Sequence, residues 1–120
     1  MLFLLLIHKF DCLNLGLSIQ YNQLNCYCYF SNKDSIKFLS EFEGIADLIF
    51  IDSSHTFVQT TNELYEAIGK LAPDGYILMH DVISVPDVRA AIHHIMEVYK
   101  DEFKYFILKT ECGLGVLQRK

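Results

Sequence analysis

Short unbroken apolar runs alternate along this chain with stretches in which apolar residues recur every three or four positions. The first pattern reads as strand and the second as helix. Leu2 to Ile7 and Cys26 to Phe30 suit strands. In Asp47 to Ile51 the apolar residues follow one another without a polar break, the signature of a strand buried on both faces of a parallel sheet. Tyr76 to Met79 suits a fourth strand. Phe103 to Leu108 and Gly115 to Leu117 suit two more, joined by a short turn and therefore expected as an antiparallel pair at the sheet edge.

Helical spacing fills the intervals. Asp11 to Leu24 is weakly helical, with Leu13, Leu17, Tyr21 and Leu24 on one face. Asp34 can cap a helix from Ser35 to about Glu43, with Ile36, Leu39 and Phe42 inward and Gly44 as a stop. Thr56 and Gln59 form a capping box opening a helix to about Leu71, with Phe57, Thr61, Leu64, Ile68 and Leu71 inward. Pro73-Asp74-Gly75 reads as a turn. Pro86 suits the first turn of a last helix, whose buried stripe would be Val88, Ile92, Ile95 and Tyr99.

Strands separated by helices imply crossover connections and an α/β fold: a mostly parallel sheet with helices on both faces and an antiparallel edge pair. At 120 residues the chain is long enough for one small domain, residues 1–120, and not for two. In such sheets ligands bind outside the carboxyl ends of the strands. Asp52 ends one predicted strand and begins a polar turn that reaches His55; His80 and Asp81 end the next. If the two strands are neighbours, about 5 Å apart, these groups converge in one crevice. The plainer reading is turn polarity, since Asp and Ser are common where strands pass into helices. His93 and His94 read as a solvated helix face, and Tyr65, Tyr76, Tyr99 and Tyr105 as packing residues.

Composition narrows the function classes. Hydrophobic content of 52% with 21% charged residues fits a globular protein. A net charge of -5 with scattered Lys and Arg argues against nucleic acid as a partner, because phosphate binding needs a basic stripe. The opening MLFLLLIHKF has no basic residue ahead of its apolar part and no small-residue cleavage site soon after. It is also shorter than the ~20 residues a bilayer requires, so it reads as a buried strand and not as a membrane segment. The cysteines Cys12, Cys26, Cys28 and Cys112 lack zinc-site spacing; Cys26-x-Cys28 is the one close pair, and reduced thiols in a cytoplasmic protein are the expectation.

The run IDSSHTF, a helix, LAPDGYILMHDV, PDVRAAI and finally GLGVLQRK resembles the carboxyl-terminal portion of class I S-adenosylmethionine-dependent methyltransferases. It is most similar to the small-molecule O-methyltransferase-like subfamily, over about residues 30 to 120. The resemblance implies a Rossmann-like sheet, S-adenosylmethionine as cofactor and a small-molecule hydroxyl as substrate. It places Asp34 and Ser35 on the adenine side of the cofactor. It makes His55 the general base, with Asp52 positioning the substrate hydroxyl. It implies that Asp52, His80 and Asp81 could hold a divalent metal such as magnesium. Methyl transfer is an in-line displacement that needs a substrate oxygen made nucleophilic and held close to the methyl group.

The chain also departs from the family pattern. It has no Gly-rich loop between a first strand and first helix; Gly113-Leu114-Gly115 lies at the other end. Ser53 stands where the family commonly has Gly, and Asp74 where it commonly has the first of two glycines. Counting back from Ser35, Cys26 to Phe30 matches the family's third strand and Leu2 to Ile7 its second, which leaves the central slot of the sheet empty. Three outcomes are open: Leu2 to Ile7 moves into that slot, a partner or second copy supplies a strand, or the chain is truncated at its amino end. The rival reading is a catalytically inactive methyltransferase-fold remnant that acts through partner association. A metal-dependent hydrolase using Asp52, His55 and Asp81 is a third.

Overall fold

The computed structural model describes residues 34–120 in full and, before them, the backbone of strands at 3–8, 18–20 and 27–31. The elements follow in the order β1 (Phe3–His8), β2 (Ser18–Gln20), β3 (Tyr27–Ser31), α1 (Ser35–Glu41), β4 (Ala46–Asp52), α2 (Phe57–Lys70), β5 (Leu71–His80), α3 (Pro86–Val98), β6 (Phe103–Leu108) and β7 (Leu114–Arg119). One sheet contains all seven strands in the order β2-β3-β1-β4-β5-β7-β6.

The expected mostly parallel sheet is corrected. β4 and β5 pair in parallel, whereas β1 runs antiparallel to both β3 and β4, β2 to β3, and β7 to both β5 and β6. The reason lies in the connections. A parallel pair needs a long crossover, usually a helix, and the α2 segment supplies one between β4 and β5. No described helix ties β1 to its neighbours, so its direction is not set that way. β1 fills the central slot between β3 and β4, the first of the three outcomes left open above.

The weak helix expected over Asp11 to Leu24 is also corrected in part, since Ser18–Gln20 is strand β2; the remainder of that segment, with Cys12, lies outside the described residues. So does Cys26 of the Cys26-x-Cys28 pair. The β6–β7 pair is antiparallel at the sheet edge, as the spacing predicts.

The described helices form a single layer rather than covering both faces. α2 packs between α1 and α3, and all three close over one core. That core takes alternate residues of the strands: Ile49 and Ile51 of β4, Ile77 and Met79 of β5, and Leu117 of β7. Leu39 and Phe42, Leu64 and Ile68, and Val88, Ile92 and Ile95 meet them from the helix side. Burying each such side chain fully is worth roughly 1.5–3 kcal/mol. Leu48, Phe50 and Leu78, pointing to the opposite face, are only half-buried.

Caps fall where the sequence places them. The Asp34 carboxylate accepts from the Lys37 N–H at 2.9 Å, and Thr56 Oγ1 accepts from the Gln59 N–H at 3.3 Å. Pro86 opens α3. Phe57, expected inward, is 39% exposed, because it stands at the first turn and its ring lies edge-on to His94 instead. Pro73-Asp74-Gly75 is not a free turn but an irregularity within β5. Ala46 is paired with Leu71 and Leu48 with Tyr76, so the extra residues bulge opposite Asp47. Asp74 takes φ 60° there, and a Cβ on Gly75 would come within 2.8 Å of the Ala72 carbonyl oxygen. Among the described residues, no helix is long and apolar enough to cross a membrane.

Candidate active site

The parallel register of β4 on β5 pairs Ile51 with Met79, so the next residues, Asp52 and His80, end the two strands side by side. After Asp52 the chain turns through Ser53 and Ser54 to His55 and then enters α2 at its cap Thr56. After His80 it turns sharply at Asp81, which adopts φ 62°. This left-handed conformation costs a non-glycine residue of order 1–3 kcal/mol, least for Asp and Asn, and persists only where the surroundings impose it.

Those surroundings are the turn at residues 81–84 and the loop before β7. The Val85 N–H donates to the Asp81 carbonyl at 2.9 Å, closing the turn. The Ile83 and Ser84 N–H groups both donate to the Cys112 carbonyl, at 3.0 and 3.2 Å. Gly113, at φ 80°, lies so close to Ile83 that a Cβ would meet the Ile83 side chain at 2.5 Å. The strained turn is therefore clamped from two sides.

The result is a compact Asp–His cluster. His55 Nε2 lies 2.8 Å from Asp81 Oδ2 and 3.7 Å from Asp52 Oδ1. His80 Nδ1 lies 3.0 Å from Asp81 Oδ2 and 3.8 Å from Asp52 Oδ1. The Ser84 hydroxyl donates to Asp81 Oδ1 at 2.9 Å. His80 Nδ1 has an ion-pair contact with Asp81 but no well-directed hydrogen bond, and the atom is buried. Of the sequence-predicted residues, Asp52, His55, His80 and Asp81 thus come together.

The electrostatics follow from the contacts. His80 is pushed above its usual 6.5, first by the Asp81 side chain against it and also by the negative charges of Asp81 and Asp52, with burial opposing. For Asp81 burial pushes upward, yet the contacts with His80 and Ser84 and the histidine charges outweigh it, and the carboxyl falls below its usual 3.8. Burial first, then Asp81, pushes the Cys112 thiol up.

Asp34 and Ser35 lie apart from this cluster. Asp34 is exposed at the entrance to α1. Ser35 is buried, and its hydroxyl donates inward to Glu63 rather than outward. Glu63 is fully buried in α2. It also accepts from the Ser53 hydroxyl at 2.5 Å and from Gln59 Nε2 at 3.1 Å. The expected capping box is therefore half made: Gln59 turns to Glu63 and Ser35 and does not return to Thr56.

Sequence reasoning missed Glu63 because it is charged, although it lies between Thr60 and Ala67 on the buried stripe of α2. Cys112 was missed because its loop is distant in sequence. Two sets of side chains bring possible metal-ligating atoms within 4.8 Å of one another: Asp52, His55 and Asp81, and His80, Asp81 and Cys112. The expected set of Asp52, His80 and Asp81 spans both.

A sheet with a β–α–β crossover, a polar cluster at the carboxyl ends of its paired strands and an antiparallel edge pair defines an α/β domain, with the cluster where such sheets bind ligands. A family model described as a methyltransferase domain matches residues 16–82, more than half of the chain, a stretch that includes Asp52 and Asp81. The chain belongs to this methyltransferase domain family. No curated protein matches it.

Proposed function

We propose that this chain is an S-adenosylmethionine-dependent methyltransferase acting on the hydroxyl of a small molecule. The observation that carries the reading is the 2.8 Å contact between His55 Nε2 and Asp81 Oδ2, across the ends of adjacent parallel strands in a methyltransferase domain. If the Nε2 proton is donated to Asp81, the carboxylate holds one tautomer and leaves the lone pair of Nδ1 to accept a proton.

S-adenosylmethionine, when bound, supplies a methyl group on a positively charged sulfur that departs as a neutral thioether. The chain's residues do the rest. His55 takes the proton of the substrate hydroxyl as the oxygen forms its bond to the methyl carbon. Asp81 orients His55 and offsets the imidazolium charge that forms. Asp52, 3.7 Å from His55, is placed to accept a hydrogen bond from the substrate. On the cofactor side the fit is partial: Asp34, which would hold the adenine side, is exposed but caps α1 with its carboxylate, while the Ser35 hydroxyl is taken up by Glu63.

The cluster would also offer ligand atoms to a divalent metal such as magnesium, which takes oxygen first. Asp52 and Asp81 offer carboxylates, and His80 offers a buried nitrogen without a well-directed partner. Such an ion would lower the pKa of a bound hydroxyl.

Calorimetry with S-adenosylhomocysteine, followed by transfer of labelled methyl groups to simple phenols and catechols, tests the reading. Binding heat and labelled ether product are expected. Neither heat nor a thermal shift at millimolar cofactor would sink it.

One observation favours a second reading, a non-catalytic methyltransferase-fold protein that works by association. β6, the outermost strand, exposes Phe106, Ile107 and Leu108 in succession, and an open apolar edge invites pairing, here with a second copy of the chain. Light scattering on the eluted protein decides this point; a stable monomer argues against it.

A further inference from the structure

Glu63 is the one fully buried ionisable side chain among the described residues, and no described cation lies within salt-bridge distance of it. Burying a carboxylate without a countercharge is costly, more so than burying a neutral glutamine, whereas burying a leucine is favourable. What offsets the cost is a full set of neutral donors. Oε1 accepts from the Ser35 hydroxyl and from Gln59 Nε2, and Oε2 accepts from the Ser53 hydroxyl.

These donors come from three segments of the chain. Gln59 belongs to α2 itself. Ser35 is the first residue of α1. Ser53 lies in the turn between Asp52 and His55. Asp52 and His55 are themselves partly exposed. Their turn is held from below, through Ser53.

We infer that Glu63 is a positioning residue that clamps the Asp52–Ser53–Ser54–His55 turn to the first turn of α1, so that the two edges of the site move as one body. The clamp itself rests on the geometry. Its description as a link between proton-accepting and cofactor edges rests on the methyltransferase reading above. The clamp makes no covalent step; it acts by narrowing the positions open to His55 relative to Asp81 and by joining that constraint to the α1 entrance.

Amide hydrogen exchange measured by NMR on the full chain tests this, with Ser53→Gly and Glu63→Gln as variants. Ser53→Gly takes a donor from the buried Glu63 and also frees the turn backbone, so Ser53→Ala, which removes the hydroxyl alone, is measured beside it. Each is expected to raise exchange at Ser54 and His55 by roughly ten- to a hundredfold, the scale of a lost hydrogen bond to a charged group. Exchange in α3 and β7 should stay as in the wild type, and the His55 ring resonances should shift. Glu63→Gln keeps one acceptor oxygen and should loosen the same turn.

Unchanged exchange at Ser54 and His55 in Ser53→Ala overturns the clamp, and so does a uniform rise across α2, α3 and β7, which marks a merely structural role. If Glu63→Gln fails to fold, Ser53→Ala decides, since it removes the hydroxyl without freeing the backbone. Adding S-adenosylhomocysteine separates the two levels. Slower exchange at His55 in the wild type but not in Ser53→Ala supports the link between edges, and equal slowing in both overturns it. Wild-type protein that binds no S-adenosylhomocysteine fails the methyltransferase reading, while the exchange comparison without cofactor still decides the clamp.

Discussion

Two carboxylate clusters lie next to each other in this molecule, and they solve opposite problems. At the strand ends, Asp52 and Asp81 face His55 and His80 in a partly open crevice, where each acid has an imidazole that can carry the balancing charge. Beneath it, Glu63 is sealed from water and surrounded by hydroxyl and amide donors that carry no charge. The first arrangement is half-open and sets acids against imidazoles, so its groups can reach a bound molecule. The second is closed and holds three segments of the chain in place. The comparison teaches that a carboxylate's role follows from its exposure and its partners, not from the residue type.

The comparison can be broken most directly on the catalytic side. His55→Ala should lower methyl transfer by about 10²–10⁴-fold, the usual worth of a general base, while the melting temperature barely moves, as expected for an exposed side chain. Labelled-methyl transfer and a thermal melt on the same preparation check both halves. A large drop in stability would erase the distinction between the clusters.

Glu63→Ala should do the reverse to stability. It leaves the Ser35, Ser53 and Gln59 donors short of a partner and opens a cavity, at a total cost of about 3 kcal/mol, read from the urea midpoint. A cost no larger than that of His55→Ala would show that the buried cluster is not a structural anchor.

A smaller effect lies in the pH dependence. His80 is raised in the folded protein above 6.5, so its contribution to stability is present below that value and fades as pH rises through the folded pKa. Asp81 is lowered below 3.8, so its contribution is present above that value and is lost as pH falls through its folded pKa. Asp81→Asn should remove both dependences, and NMR titration of His80 should show its pKa falling toward the ordinary range. Retention of the raised value would shift the cause to Asp52.

The smallest effect belongs to a pair outside both clusters. Lys37 and Glu41 meet at 4.0 Å on the exposed side of α1. Lys37→Ala should change the denaturation midpoint by less than about 0.5 kcal/mol, since solvent screens such pairs. It serves as the baseline against which the other variants are read.

Much of this arrangement was legible before folding. The apolar run ending at Asp52, and Tyr76 to Met79 ending at His80, specify two strands whose ends carry acid and imidazole. Local rules suffice for that, as they do for the Asp34 and Thr56 caps and for Pro86 at the start of α3. The buried stripe of α3 follows from spacing alone, because Val88, Ile92 and Ile95 share one side of a helix.

Other features depend on residues far apart in the chain. The direction of β1 is set by which neighbours it meets, and an isolated apolar run such as Leu2 to Ile7 reads the same in either direction. Ser18–Gln20 carries helical spacing around it, yet pairs with β3 as a strand, because a partner's ladder outweighs a weak local preference. Cys112 approaches His80 only because the loop before β7 folds back on the Asp81 turn.

The sequence by itself determined the elements from α1 onward and the two strand ends at which chemistry could gather, since periodicity and caps are local properties of the chain. Only the tertiary structure decided that Asp81 would bend back onto His55 and that Glu63 would be buried beneath Ser53 and Ser35. Both depend on contacts across strands and between helices. The energy that bends Asp81 and buries a lone carboxylate is supplied by the rest of the fold, and no local pattern records it.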